Sequence, residues 1–186
     1  MSDGPCLTPR AVLRGYFHAK DENRPHLLDA VFSADAQLRV VDRVTDMGFP
    51  AVTQGREAIA DAMVRRFGQT YENVYSFYLA APPERTETFS CPWLVGMTEK
   101  ETHNVRVGCG RYDWSFQQDG ARLACGLVIT IDAMQVLPPQ DTEAVLGWLR
   151  QLQYPWSSRA EAVASAPALD LLAPVLQCLR SNGGKA

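Results

Sequence analysis

The chain has 186 residues, 46% of them hydrophobic and 21% charged, with a formal net charge of −3. That length fits one globular domain with an appendage, and the composition supports a sizeable core. Scattered basic residues exclude a basic face for nucleic acid or an anionic membrane, and no apolar run reaches membrane-spanning length.

In chain order, Thr8-Pro9 reads as a helix start, because Thr caps and Pro suits the first helical position. Val12, Leu13, Tyr16 and Phe17 then form one apolar helical face. After a break at Asp21-Glu22-Asn23, a second short helix is expected through Leu27, Leu28, Val31 and Phe32. From Gln37 to Arg43 the period changes to two, with Leu38, Val40 and Asp42 on one face of a strand. Asp46-Met47-Gly48 reads as a turn, Phe49 to Thr53 as a short return strand, and Gly55 as the opening of a third helix.

Four long strands follow, expected near 73–81, 88–99, 103–117 and 121–136. In the third of these, Val105, Val107 and Cys109 share one face. Tyr112, Trp114 and Phe116 continue at period two with the phase shifted, so a bulge near 108–111 is expected to bring both sets inward. Helices first and strands after predict an α+β arrangement with the helices on one side of the sheet. Pro138-Pro139 ends that unit. Beyond it, a helix through Val145 to Leu152, a capping pair at Ser158 and Glu161, and an amphipathic stretch from Leu169 to Leu179 kinked near Pro174 form a C-terminal extension, with 182–186 expected to fray.

Five cysteines (Cys6, Cys91, Cys109, Cys125, Cys178) show no CxxC pair and no zinc-finger spacing, and with no secretory signal they point to reduced thiols in a cytoplasm. The three histidines, His18, His26 and His103, have no i, i+4 partner, so no metal is expected. A Gly-x-Ser-x-Gly elbow and a phosphate-cradling glycine loop are both absent from the sequence, so neither a serine hydrolase nor a bound nucleotide cofactor is expected.

Three segments carry a resemblance. They are Tyr16-Phe17-His18-Ala19 running to Leu28, Phe32 and Asp35-Ala36; Gly55-Arg56-Glu57-Ala58-Ile59; and Gly110-Arg111-Tyr112 with Trp114, Phe116 and Asp119-Gly120. In this order they resemble the NTF2-like superfamily, especially its SnoaL-like branch. The resemblance implies an NTF2-like (cystatin-like) cone over 8–137, with a curved mixed or antiparallel sheet on three N-terminal helices, and a helical extension over 138–186. It also implies a dimer through the sheet's outer face. Two departures stand out: Ala121-Arg122-Leu123-Ala124-Cys125 after Asp119-Gly120, and a tail longer than a minimal member needs.

Alternation sends the Asp42 carboxylate toward the apolar side of its strand, where lost solvation would raise its pKa and suit it to act as a base. The other reading is that Asp42 pairs with Arg39 or Arg43 or hydrogen-bonds the adjacent turn. By similarity to ketosteroid isomerases, Tyr16 stands where a helix tyrosine binds an oxyanion, Tyr112 where a second oxyanion donor lies, and Val40, not Asp42, at the base position. Val40, Phe32, Trp114 and Phe116 are the expected ligand-facing residues, with Trp114 able to stack on a flat ligand. The alternative for all these rings is a filled aromatic core. Three functions follow: a cofactor-free isomerase, cyclase or dehydratase acting on a small hydrophobic carbonyl or polyketide-like substrate through Asp42, Tyr16 and Tyr112; a non-catalytic small-molecule binder; or an assembly domain similar to the small subunits of ring-hydroxylating dioxygenases.

Overall fold

A computed structural model describes residues 7–44 and 47–181. The first helix, α1, runs Pro9–Asp21 and starts as its sequence dictates: the Thr8 side chain accepts the Ala11 N–H at 3.2 Å. The expected second helix is shorter than its apolar spacing suggested. A 3₁₀ turn covers Pro25–Ala30, and Phe32 already belongs to strand β1, Phe32–Asp42. The β-branched Val31 and the aromatic Phe32 lead into the sheet instead of completing a helix.

Strand β2 (Val52–Gln54) pairs antiparallel with β1. Next comes one helical rod in three pieces: α2 (Arg56–Ala60), a π turn (Asp61–Arg65) and α3 (Arg66–Thr70). Arg56 fastens its start, donating to the Phe32 carbonyl at 3.2 Å and lying 3.0 Å from the Asp29 carboxylate. The remaining strands are β3 (Tyr71–Tyr78), β4 (Thr88–Glu99), β5 (Val105–Phe116) and β6 (Ala124–Leu137). The sheet order is β2-β1-β6-β5-β4-β3, antiparallel except for the central parallel β1–β6 pair.

The sheet buries both faces. On the inner face, β1, β4, β5 and β6 bring Leu38, Trp93, Tyr112, Trp114, Phe116, Leu127, Ile129 and Ile131 against α1 and the α2–α3 rod. On the outer face, Val105, Val107 and Cys109 pack with Phe77, Leu94 and the C-terminal helices α4 (Thr142–Gln151), α5 (Arg159–Ala164) and α6 (Ala173–Ser181). This corrects the expected bulge in β5. That strand pairs without interruption to β4, and its two apolar sets face opposite sides, each with its own cover. Two irregularities lie in β6: Cys109 pairs with Ala133 and Gly110 with Ile131, leaving Asp132 as an extra residue, and Ser115 pairs with Gly126 and Phe116 with Ala124, leaving Cys125.

Pro174 does not kink the last segment; it is the second residue of α6, where the missing N–H costs nothing. A 3₁₀ turn over Asp170–Leu172 precedes it. Ser158 caps α5 by accepting the Glu161 N–H at 3.1 Å. Between α4 and α5 the chain runs beside the edge strand β3: the Tyr78 N–H donates to the Pro155 carbonyl at 2.8 Å, and the Ser157 N–H donates to the Tyr78 carbonyl at 3.0 Å. That pairing blunts an otherwise open edge. The expected fraying of 182–186 lies outside the described residues.

Two glycines make these contacts possible. A Cβ at Gly96 would sit 2.1 Å from the Leu149 Cδ1 atom, so α4 rests on β4 through the missing side chain. A Cβ at Gly110 would sit 1.9 Å from the Thr130 carbonyl oxygen and 2.9 Å from the Trp93 ring. Neither the backbone oxygen nor the packed indole can yield cheaply. Gly110→Ala is expected to cost about 2 kcal/mol or more, as overpacking does; a urea midpoint unchanged from wild type would contradict this packing.

Candidate functional site

The inner face narrows to a solid end. Tyr16 from α1 meets Trp114 with ring centroids 5.3 Å apart and Phe32 at 6.0 Å, while Trp114 stacks on Phe32 at 5.9 Å and on Phe116 at 6.3 Å. Phe32, Trp114 and Phe116 therefore fill space, ring on ring. Val40 is half-buried against the same cluster. The rings of Tyr16 and Tyr112 pack edge to face, with centroids 6.2 Å apart. Burial pushes both phenols above the ordinary tyrosine value, with a nearby carboxylate, Asp21, adding to the effect. Both tyrosines are thus held as neutral hydroxyls. The buried Tyr16 hydroxyl has no hydrogen-bond partner among the described residues.

Asp42 is not the buried carboxylate expected. Its place on the inner side is as alternation predicted, since it pairs in parallel register with Ile131. However, it is the last residue of β1, beyond the shelter of the helices, and it is exposed. Its two oxygens accept the Val44 N–H at 3.1 Å and the Met47 N–H at 3.3 Å, which is the turn-binding alternative. Asp42 thereby anchors Met47, which stands at the mouth of the interior.

The buried charges lie elsewhere, at the C-terminal end of α1. Lys20 and Asp21 are consecutive, and their side chains are only 4% and 6% exposed. The Lys20 ammonium is 2.5 Å from an Asp21 carboxylate oxygen. It also donates to the Ser76 hydroxyl on β3 at 2.9 Å, and Ser76 donates to the same Asp21 oxygen at 2.9 Å. The ammonium sits over the Phe67 ring, 4.7 Å from its centroid, and 5.7 Å from that of Phe17. The second Asp21 oxygen is buried without a hydrogen-bond partner. Burial raises the Asp21 pKa above the ordinary carboxylate range, an effect that Lys20 and Ser76 only partly offset.

Lys20 forms part of the wall of a mostly apolar cavity of about 50 Å³, with Met63, Phe67, Trp93, Tyr112 and Met134. The π turn and α3 supply Met63 and Phe67; a π turn widens a helix and is frequent at functional sites. A second cavity of about 180 Å³ shares Met47, Phe49 and Phe67 with the first. Asp21 borders a cleft of about 200 Å³ at the β3 edge, beside Tyr75, Arg150 and Tyr154. Among the described residues, no three His, Cys, Asp or Glu side chains gather as metal ligands, and no helix is long and apolar enough to cross a membrane.

The Lys20–Asp21–Ser76 cluster was missed in the sequence because Asp21 fell in a stretch that read as a helix break. The available signal was Lys20, four residues after Tyr16 and three after Phe17, which puts it on the same inward helical face.

No family model and no curated protein matches the sequence. Solved structures do match the fold. LinA aligns with a TM-score of 0.54 and 12% identity over 68% of this chain and 84% of its own. An NTF2-like superfamily protein from Salmonella enterica aligns with a TM-score of 0.52 and 13% identity over 64% and 84%. An NTF2-like protein from Burkholderia thailandensis aligns with a TM-score of 0.50 and 14% identity over 66% and 88%. The chain has the NTF2-like fold, with a helical extension on the outer face of the sheet.

Lys20→Met removes the cation that lowers the Asp21 pKa. A further rise of that pKa is expected, read from the side-chain carboxyl carbon shift against pH, with a loss of about 3–5 kcal/mol at pH 7 for leaving a buried charge unpaired. A raised folded-state pKa means the unfolded chain releases its proton first. The stability lost relative to wild type is therefore smallest in acid and grows as pH climbs from the raised wild-type value of Asp21 toward the still higher one of the variant. A variant equally stable at pH 4 and pH 7 relative to wild type would contradict the assignment.

Proposed function

We propose that this chain is an acid–base enzyme acting on a small, mostly apolar carbonyl compound, with Asp21 in place of Asp42 as the proton acceptor. The observation that carries the reading is the buried Asp21 carboxylate, with one oxygen held by Lys20 and Ser76 and the other unpartnered, at the edge of an interior containing two neutral tyrosines. A carboxylate whose pKa is raised by burial is a useful base near neutral pH. Tyr16 and Tyr112 remain the proposed donors to the developing oxyanion, since a neutral phenol can stabilise an enolate without carrying charge. Lys20, in the cavity wall, offsets the negative charge as it moves from carboxylate to substrate. Phe32, Trp114 and Phe116 support these groups as a rigid floor, and Val40 with Asp42 shapes the mouth. The chemistry needs no group beyond these side chains. Adjoining cavities of only about 50 Å³ and about 180 Å³ favour a compact substrate over a polyketide.

The second reading, a non-catalytic binder, is favoured by the mostly apolar lining of the same cavity. The two separate in one experiment. Small cyclic and linear ketones are incubated with the protein in D₂O, and exchange of the protons next to the carbonyl is followed by NMR. Catalysed exchange is expected, falling about 10²-fold or more in Asp21→Asn. Exchange persisting in that variant would remove Asp21 from the role, and ketone binding without exchange would favour the binder.

We also infer a homodimer through the part of the outer face that the C-terminal helices leave bare, where Val41 and Val52 are 37% and 53% exposed. Val41→Asp is expected to halve the mass seen by light scattering. A mass identical to that of wild type would argue against this surface.

A further inference from the structure

The outward side of α1 carries a second site, separate from the interior. We propose that the cleft between α1, the 3₁₀ turn Pro25–Ala30 and Trp156 binds a monomeric anionic amphiphile, a carboxylate with a medium-length hydrocarbon body. The cleft holds about 570 Å³, within the range of small-molecule sites, and Leu7, Ala11, Leu27, Ala30 and Trp156 give it apolar walls.

Its charge is one-sided. Arg10 and Arg14 stand one helical turn apart, about 6 Å along the axis at 1.5 Å per residue, close enough to share one anion. Their guanidinium carbons lie 5.1 and 5.2 Å from the Trp156 ring centroid. Neither is within ion-pair distance of a carboxylate among the described residues, although nine other Arg, Lys or His side chains are joined in ion pairs. Arg10 spends one N–H on the Pro82 carbonyl at 3.4 Å. His18, the next turn along, is already bonded to Glu22 at 2.8 Å and adds no unpaired charge.

A guanidinium held over an indole keeps N–H donors with which it can grip a carboxylate in a fork. Trp156 is itself held by Tyr78, whose ring centroid lies 6.3 Å away with the two planes 28° apart, so the platform does not have to be ordered when a ligand arrives. The Trp156 indole N–H is buried without an acceptor. A cleft with apolar walls and two unneutralised guanidiniums matches a ligand that is hydrocarbon at one end and anionic at the other.

The test uses decanoate below its micellar threshold and isothermal titration on the full chain. Decanoate is expected to bind with one-to-one stoichiometry, and decanol at least about tenfold more weakly because the charged hydrogen bonds are missing. The double variant Arg10→Gln, Arg14→Gln, checked for folding by circular dichroism, is expected to lose the preference for decanoate over decanol. Met63→Trp, which fills the interior cavity, is expected to leave decanoate binding unchanged. Equal affinity for decanoate and decanol, full retention of the preference in the double variant, or loss of binding in Met63→Trp would each overturn the assignment. The last would move the ligand to the interior. Because the cleft owes nothing to Lys20 or Asp21, its failure leaves the proposed interior chemistry standing, and the reverse also holds.

Discussion

A sheet that is apolar on both faces must be covered on both faces, and that requirement organises this molecule. In β5, odd-numbered residues from Val105 to Cys109 and even-numbered residues from Tyr112 to Phe116 are all buried, yet they point in opposite directions. A single layer of helices could shelter only one set. At about 25 cal/mol per Å² of apolar surface, leaving three or four such side chains in water would cost several kcal/mol, comparable to a domain's net stability. The C-terminal helices are therefore part of the fold's thermodynamics. Leu149 in the notch above Gly96 and Trp148 donating to the Ala162 carbonyl at 3.0 Å show how closely that layer is fitted.

Covering the outer face at the β3–β5 end has consequences for the interior. With α4 to α6 fixed behind them, β4 and β5 form a firm wall on which Trp93 and Tyr112 stack, ring centroids 5.6 Å apart. The rings of Tyr16, Phe32, Trp114 and Phe116 close the narrow end, so free volume is pushed toward the wide end near Met47 and Phe49. A buried ion pair of the inner layer, Lys20 and Asp21, stands between that volume and the β3 edge. The same packing that stabilises the sheet thus limits where chemistry can occur.

Much of this architecture was legible from side-chain period and turn chemistry. The Thr8 and Ser158 caps, the long strands and the helix opened by Gly55 all follow from local rules that tertiary contacts left intact. The failures are equally local in origin. Alternation gave the correct side for Asp42 but said nothing of how far the cover extends, and one residue past the sheltered part of β1 a side chain facing the core is in water. In β5, two apolar sets were assumed to need one face because the extension's position was unknown. For Lys20 and Asp21, composition worked against detection: charged residues at the end of a helix normally mark its solvated tip, and only the approach of Ser76 from β3, 55 residues away, shows that this tip is enclosed.

That enclosure is hard to explain by stability alone. An acidic side chain in the last turn of α1 faces the negative end of the helix dipole, an arrangement that opposes ionisation. Desolvation opposes it further, and a like-charged neighbour, Glu22, follows directly. Against these, Lys20 and Ser76 both act on a single oxygen, so the second gains nothing from the pairing. Well-packed apolar residues in place of both Lys20 and Asp21 would avoid all three costs, as replacement of a whole buried ion pair commonly does. A group held where folding disfavours it, with one oxygen buried without a hydrogen-bond partner and two neutral hydroxyls nearby, is the arrangement on which the proposed proton transfer rests.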